Sequence, residues 1–510
     1  MKWLSLGCLA LTACASSVVE QREHPLPNVV LVVVDDLGWQ DTSVSFTFEP
    51  TRYNQWHSTP ALEMLAVKGV RFSNAYSNSP VCTPTRTAIL SGLHPAVTNI
   101  TDWTLYTDQD FSRAMPELRD PKWNKAGLTL NDSLLPRMLQ RRGYYTMYVG
   151  KAHLGAIGTQ AANPLNAGFD RNVAGHAAGG PGSYYGADDY GNNKPGPWGV
   201  PDLEDFHGSD VFLTEAITIM AERELELAAQ QHRPFFLQMA HYAVHSPIQA
   251  DPRFFDYFKN KGLDDKEAAY ASLVAGVDAS LMRITDKLEQ LNLADNTLII
   301  FCSDNGGLSA HSRGRTPLGT GKDTHNQPLR SGKGSGYEGG IRVPLVMAWA
   351  GAAHPRFELP ADVMLPFPTL SSDLYSTIAD VAQIPNAWRN VAVDQHAASL
   401  WPIIAGKLGI VKRPMVWHYP HKWGPEGDRY EPFTAWREGD YKLIYWYESA
   451  QFELFNLAND LSEQHDLIYS HTDIAYRLAN HLRQWMIEVD AQRPLRKDSG
   501  EMLALPTLSI

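Results

Sequence analysis

The sequence predicts an α/β fold: a large domain with a mainly parallel central sheet flanked by helices, then a smaller C-terminal α+β domain with an antiparallel sheet. Three observations carry this. Short, uninterrupted apolar runs at 29–34, 145–149, 235–240, 297–302 and 343–349 read as strands buried on both faces. Helical patterns at 61–68, 130–142, 211–230 and 266–291 lie between them, which is the alternation of a parallel sheet. After about residue 410 the style changes to WHYPHKW, YKLIYWY and FELFNL, short antiparallel strands by pattern, with a helix near 474–489. No internal repeat interrupts this order.

With 510 residues, 44% hydrophobic and 20% charged, the chain is long enough for a sizeable core and for more than one small domain. The formal charge of -12 argues against a protein that coats nucleic acid or other polyanions. It leaves room for a small anionic ligand, because a local cluster of cations can sit in an acidic protein.

The opening MKWLSLGCLALTAC has signal-peptide anatomy: a lysine, a short apolar run, then small residues. The run is too short to span a membrane. Leu11-Thr12-Ala13-Cys14 resembles a bacterial lipobox, which implies cleavage before Cys14 and lipidation of its sulfur. The expected organisation is a signal peptide at 1–13, a polar tether at 14–24, a large domain at 25–410 and a C-terminal subdomain at 411–510. The chain is then an exported lipoprotein, anchored through Cys14 at the outer membrane or periplasmic face of a Gram-negative cell.

The cysteines are Cys8, Cys14, Cys82 and Cys302. Processing removes the first and lipid occupies the second, so no disulfide framework is expected despite export. Cys302 ends an apolar run and reads as a packing residue. Cys82 lies amid polar residues and is not filler.

Four of the predicted strands end abruptly in polar residues. The first runs into Asp35-Asp36, the second into Gly150-Lys151-Ala152-His153, the third into His241 and then His245, and the fourth into Ser303-Asp304-Asn305-Gly306. Open α/β sheets build their sites outside the carboxyl ends of strands. Carboxylates, an amide, a lysine and histidines are therefore gathered at one sheet edge. Taken singly, Asp35-Asp36 is equally a strand-end cap, and Ser303 to Gly306 a turn.

Cys82-Thr83-Pro84-Thr85-Arg86 opens a segment closed by Gly92. Proline suits a first helical turn and glycine a helix end, with Thr83 the expected N-cap. Cys82 then sits at a helix N-terminus, where free N–H groups favour an anion, with Arg86 one turn on. The loop 175–201, rich in glycine, asparagine, tyrosine and proline, is either a sugar platform built from Tyr184, Tyr185, Tyr190 and Trp198 or a structural flap.

Cys-x-Pro-x-Arg with a nearby glycine resembles the signature of the type I, formylglycine-dependent sulfatases. Gly150-Lys151-Ala152-His153, Ala243-Val244-His245-Ser246-Pro247 and Lys333-Gly334-Ser335-Gly336-Tyr337-Glu338-Gly339-Gly340 resemble further segments of that family, in family order. The resemblance covers the whole large domain and implies an alkaline-phosphatase-like fold. It implies that a maturation enzyme oxidises Cys82 to formylglycine. It further implies that Asp35, Asp36, Asp304 and Asn305, with residue 82, hold one calcium ion.

The roles follow from the same resemblance. The modified residue attacks sulfur, and Arg86 positions it. Lys151, Lys333 and His245 hold the sulfate oxygens. His245, with Lys333, protonates the leaving alcohol, and His153 removes the proton whose loss expels sulfate. The implied substrate is a sulfated carbohydrate, with ulvan or carrageenan fragments foremost and host glycans also open. His418 and His421 are candidate substrate contacts from the small domain, with Asp102, Trp103 and Arg315 behind them. His241 reads as a satisfied structural histidine. The rival readings are a phosphatase or phosphodiesterase of the same superfamily and a non-catalytic binder of sulfated glycans.

Overall fold

A computed structural model of the chain describes residues 25–314, 324–352, 354, 357–406, 413–424 and 428–509. Cys14 with its tether, and Arg315, fall outside the described residues. In chain order the strands of the large domain are β1 (Asn28–Val34), β2 (Val70–Phe72), β3 (Ala75–Tyr76), β4 (Leu118–Arg119), β5 (Tyr145–Gly150), β6 (Arg171–Val173), β7 (Phe235–Ala240), β8 (Thr297–Ser303), β9 (Leu345–Trp349), β10 (Val363–Leu365) and β11 (Thr369–Leu370). Eight of them form one sheet in the order β10-β2-β9-β8-β1-β7-β5-β6. Only β9 runs against its neighbours; the remaining pairs are parallel.

Both faces of this sheet are covered, which is why its central strands are uninterrupted apolar runs rather than alternating ones. Successive residues of β1 divide between the two layers. Val30, Val32 and Val34 pack with the helices Leu213–Gln230 and Asp265–Gln290, whereas Val29, Leu31 and Val33 pack with the helices Leu135–Arg141 and Asp373–Val381. Cys302 is buried in the second layer, and both Cys82 and Cys302 are free thiols.

The strands expected from sequence agree with β1, β5, β7, β8 and β9 to within about two residues, the usual uncertainty of an element end. The edge strands β6 and β10, and β2 next to the edge, are three residues each, too short to leave a periodicity. The helix expected at 130–142 is shorter, Leu135–Arg141.

The C-terminal part forms an antiparallel sheet of β12 (Met415–Tyr419), β13 (Phe433–Glu438), β14 (Tyr441–Trp446) and β15 (Gln451–Asn456), in that order. Its outer face carries the helix Thr472–Glu488. Its inner face, with Trp417, Tyr419, Phe433 and Trp446, packs on Tyr76, Val81 and Tyr337 of the large domain. Under this contact Lys442 Nζ donates to Glu338 at 2.9 Å and Glu463 at 2.8 Å, all three fully buried. A last strand, β16 (Leu495–Arg496), returns to pair with β4. Among the described residues no helix is long and apolar enough to cross a membrane.

Candidate active site

The four polar strand ends noticed in the sequence belong to four consecutive strands, β8, β1, β7 and β5. They are parallel and in register, with Val34 opposite Ser303 and Ala240 opposite both Val33 and Gly150. Their C-terminal extensions therefore emerge side by side. Asp304 and Asn305 leave β8, Asp35 and Asp36 leave β1, the segment to His245 leaves β7, and Lys151 and His153 leave β5.

After the first helix α1 (Pro60–Lys68), Cys82 comes to this edge on helix α2 (Cys82–Ser91), which is buried along its whole length. The N-cap is Val81, in extended conformation, and not Thr83. The helix thus begins two residues earlier than its sequence suggests. Val81 supplies no capping side chain; it is anchored instead by its place in the inter-domain core. Gly92 ends the helix with φ of 69°, a left-handed conformation that glycine adopts without a side-chain penalty.

The ligand atoms of Asp35, Asp36, Cys82 and Asp304 lie within 4.8 Å of one another. Three buried carboxylates face three buried cations. Lys151 Nζ donates to Asp35 at 2.6 Å, Lys333 Nζ lies 2.6 Å from Asp36, and Arg86 Nε donates to Asp304 at 2.7 Å. Arg86 Nη1 also donates to the Lys151 carbonyl at 2.8 Å, so this arginine ties α2 to two strand ends. Burial, only partly offset by Lys151, pushes Asp35 well above the usual carboxylate range. For Asp36 burial acts the same way, but Lys333 and His245 outweigh it and hold the group low.

The set fits a hard divalent cation. Asn305 donates its amide N–H to Asp36 at 2.8 Å, while its Oδ1 is buried without a hydrogen-bond partner. An orphaned buried oxygen beside three carboxylates is a donor left for a cation. With the carboxylates already balanced by lysines and arginine, a divalent ion would leave the pocket positive and so complementary to a sulfate ester.

Cys82 Sγ lies 3.6 Å from Asp35 and 3.5 Å from Lys333 Nζ. Burial pushes the thiol up to about 12, against the pull of the two lysines. His153 donates from Nε2 to the Thr104 carbonyl at 2.9 Å, since a carbonyl can only accept. Its Nδ1 is then a lone-pair acceptor, buried and without a partner. Burial, reinforced by Lys151 and Arg86, drops its pKa well below normal, which keeps the ring a neutral base. His245 donates from Nδ1 to the Ser246 carbonyl at 2.7 Å, leaving Nε2 3.7 Å from Asp36.

These groups open into a cavity of about 220 Å³ lined by Val81, Cys82, Trp103, His153, Gly179, Trp198, His245, Ser246, Leu308, Ser312, Lys333 and Trp423. Lys151 is fully buried behind Asp35 and is not in the wall. Larger hollows elsewhere, one of about 760 Å³ around Arg52 and Arg330, do not touch these residues.

Two expected contacts are corrected. His418 and His421 are absent from the cavity wall and are buried with both ring nitrogens engaged. His418 meets Thr434 and the Gln492 carbonyl, and His421 meets Asp120 and Thr101. Side chains so fully paired have no capacity left for a substrate. The tyrosines of the 175–201 loop are likewise structural. Tyr184 donates to the Tyr242 and His245 carbonyls, Tyr185 to Ala250 and Tyr190 to Val211. Of that loop's aromatics Trp198 alone lines the cavity. Asp102 is buried beneath Trp103, which does reach the wall. His241 is buried with neither ring nitrogen hydrogen-bonded, so it is not the satisfied histidine expected.

Sequence reasoning passed over Trp423, inside the very WHYPHKW segment whose histidines drew attention. It also passed over Gly179 and Gly180. A Cβ on Gly179 would stand 2.5 Å from the His153 ring, and one on Gly180 2.8 Å from His245 Nδ1. The glycine pair lets the loop lie flat against both histidines, and the only signal was the run Ala177-Ala178-Gly179-Gly180.

A sulfatase family model matches residues 27–384. The chain belongs to the sulfatase family. This places it among the sulfuric ester hydrolases. The sulfatase is similar over nearly its full length to a sulfatase of Formosa agariphila, 27% identical over 569 aligned positions that cover 99% of this chain and 97% of that protein. It is 31% identical to the human N-acetylgalactosamine-6-sulfatase over 345 residues, 64% of this chain and 57% of the human one. Among solved structures, Ps i-CgsB in complex with k-i-k-neocarrahexaose superposes with a TM-score of 0.71 at 26% identity, over 94% of this chain and 95% of that one.

Proposed function

We propose that this sulfatase hydrolyses sulfate esters of a sulfated carbohydrate, foremost fragments of algal polysaccharides of the carrageenan or ulvan type. In this reading Cys82 is oxidised to formylglycine by a separate enzyme, and one calcium ion is held by Asp35, Asp36, Asp304, Asn305 and residue 82. The observation that carries it is Cys82 itself. A buried thiol at the first turn of a helix, 3.5 Å from a lysine and beside three carboxylates, forms the floor of an otherwise largely apolar cavity. The carbohydrate class is supported by the neocarrahexaose complex of Ps i-CgsB and by the amino-sugar substrate in the name of the human relative.

When present, the hydrated aldehyde supplies two hydroxyls, one to attack sulfur and one whose deprotonation releases sulfate, and the divalent ion supplies positive charge beside them. The chain's own groups do the rest. Lys333 Nζ, fixed between Asp36 and residue 82, holds a sulfate oxygen and stabilises charge that builds on it. Lys151 acts from behind, through Asp35. His245 Nε2 is the wall atom suited to exchange a proton with the leaving alcohol oxygen. His153 Nδ1, fixed as the acceptor by the bond from Nε2 to Thr104, takes a proton from the modified residue. Arg86 keeps Asp304 and Lys151 in place for all of them.

The chain is further proposed to be a lipoprotein anchored through Cys14, which incorporation of labelled palmitate by wild type but not Cys14→Ala would test. The central experiment is a peptide mass. A peptide spanning Val81 to Arg86 from active enzyme is expected to be about 18 Da lighter than the encoded one, the change from thiol to aldehyde. Sulfate release is then measured across defined sulfated oligosaccharides. An unconverted thiol in fully active enzyme defeats the formylglycine reading, and sulfate release from none of the sugars defeats the carbohydrate reading.

A further inference from the structure

Three indoles surround the mouth of the Cys82 cavity, and they come from three distant parts of the chain. Trp103 follows α2 by a short connection, Trp198 lies in the 175–201 loop, and Trp423 comes from the small sheet's β12–β13 connection. No catalytic step uses them. Each is nonetheless held in place. Trp103 stacks on Phe111 at 4.2 Å between ring centroids, and its backbone N–H donates to Asp102 at 2.9 Å. Asp102 in turn accepts from the Tyr419 hydroxyl at 2.9 Å, so the small domain braces this wall.

Trp198 is 37% exposed, yet its loop is pinned by buried Tyr184 and Tyr190, and its carbonyl accepts from Gly182 N–H at 2.6 Å. Trp423 lies against Gly334 and 5.4 Å from Lys333 Nζ.

We propose that Trp103, Trp198 and Trp423 form the subsite for the pyranose ring that carries the scissile sulfate, gripping its C–H faces while Lys333 and the histidines hold the sulfate. This rests on the carbohydrate-sulfatase reading above. Large flat rings with one polar edge suit a ligand that is apolar on its faces and hydroxylated on its rim. The size agrees: 220 Å³ lies below the roughly 300–1,000 Å³ of sites for drug-sized ligands, so the cavity takes one ring with its sulfate and leaves further sugar units outside. Indoles fixed before binding cost little ordering entropy when the ring enters. Because Trp423 belongs to the small domain, that domain completes the substrate site through an indole and not through its histidines.

The test separates ring from sulfate. KM is measured on a defined sulfated oligosaccharide that wild type turns over, and Ki for inorganic sulfate is measured alongside. Trp103→Ala, Trp198→Ala and Trp423→Ala are each expected to raise KM roughly five- to tenfold, the size of one lost aromatic contact. Ki for sulfate should stay at the wild-type value, and phenylalanine at the same position should restore much of the loss. Trp198, the exposed one, gives the deciding variant should either of the others fail to fold. Unchanged KM in Trp198→Ala, or a Ki that rises in parallel with KM, overturns the proposal. Wild type that cleaves a simple aryl sulfate but no sulfated sugar overturns the carbohydrate reading and this subsite together.

Discussion

At the scale of single residues the site depends on atoms left unpaired and on space left unfilled. His153 Nδ1 and Asn305 Oδ1 are buried acceptors without partners, in a cluster whose other polar atoms are mostly paired. Such groups cost stability wherever they serve nothing, and here each points to a proton or a cation. Removing the proposed nucleophile is the bluntest test: Cys82→Ala should lower kcat by about three orders of magnitude or more, with an unchanged melting temperature. A subtler one is Gly179→Ala. Its methyl group has to displace the His153 ring, so kcat should fall by roughly ten- to a hundredfold, as expected for a catalytic group moved by about 1 Å. Steady-state kinetics with a thermal melt separates this from unfolding.

At the scale of elements, the strand ends explain why the site is where it is. β1 occupies the middle of the sheet and sends Leu31 into one helical layer and Val32 into the other. Leu31→Ala should therefore destabilise by about 2–5 kcal/mol, the range for deleting a buried leucine side chain, read as a shift of the denaturation midpoint. The same strand delivers Asp35 and Asp36, so the variant should also weaken metal retention near its melting temperature.

Elements of this kind were legible because a fully buried strand must be apolar throughout and must turn polar where it leaves the core. Strands of three residues carry no such mark. The start of α2 lies two residues before the expected one because Val81 caps nothing with its side chain; packing against Tyr337 and the small sheet fixes it instead.

At the scale of the molecule, the small domain is held by charge as well as by its aromatic face. Lys442 is shared between Glu338 and Glu463 in a fully buried cluster. Lys442→Ala would leave buried Glu463 without its cation and Glu338 with Arg342 alone, so a loss of about 3–5 kcal/mol is expected in denaturant unfolding. His421 gives a second, pH-dependent link. Burial alone would lower its pKa, but Asp102, Asp120 and Asp110 outweigh burial and raise it above the ordinary value.

A histidine whose folded pKa is raised binds its proton more tightly in the native state. Its contribution is then fully present below the unfolded pKa of about 6.5 and is lost as pH rises through the folded value. Thermal melts from pH 6 upward should show wild type losing stability across that window and His421→Gln losing less.

The family motifs, the buried strands, the polar strand ends and the lone cysteine at a helix start are properties of the sequence by itself, because local burial and turn chemistry dictate residue type directly. The carboxylates, Lys151, His153 and His245 are readable at strand ends for the same reason, whereas Lys333 and the roles proposed for these groups come from the resemblance to the family. Of the indoles that line the cavity, Trp103 and Trp198 stand among the candidates the sequence offers and Trp423 does not. The three are separated by 95 and 225 positions, and nothing local shows that they share one wall. His418 and His421 were read as substrate contacts when their partners were Thr434, Gln492, Asp120 and Thr101, none of them near in sequence except Thr434. Strand order, the docking of the small sheet and the flat approach of Gly179 decided those roles. Each depends on which distant surfaces are brought together, and that is settled by packing across the whole chain.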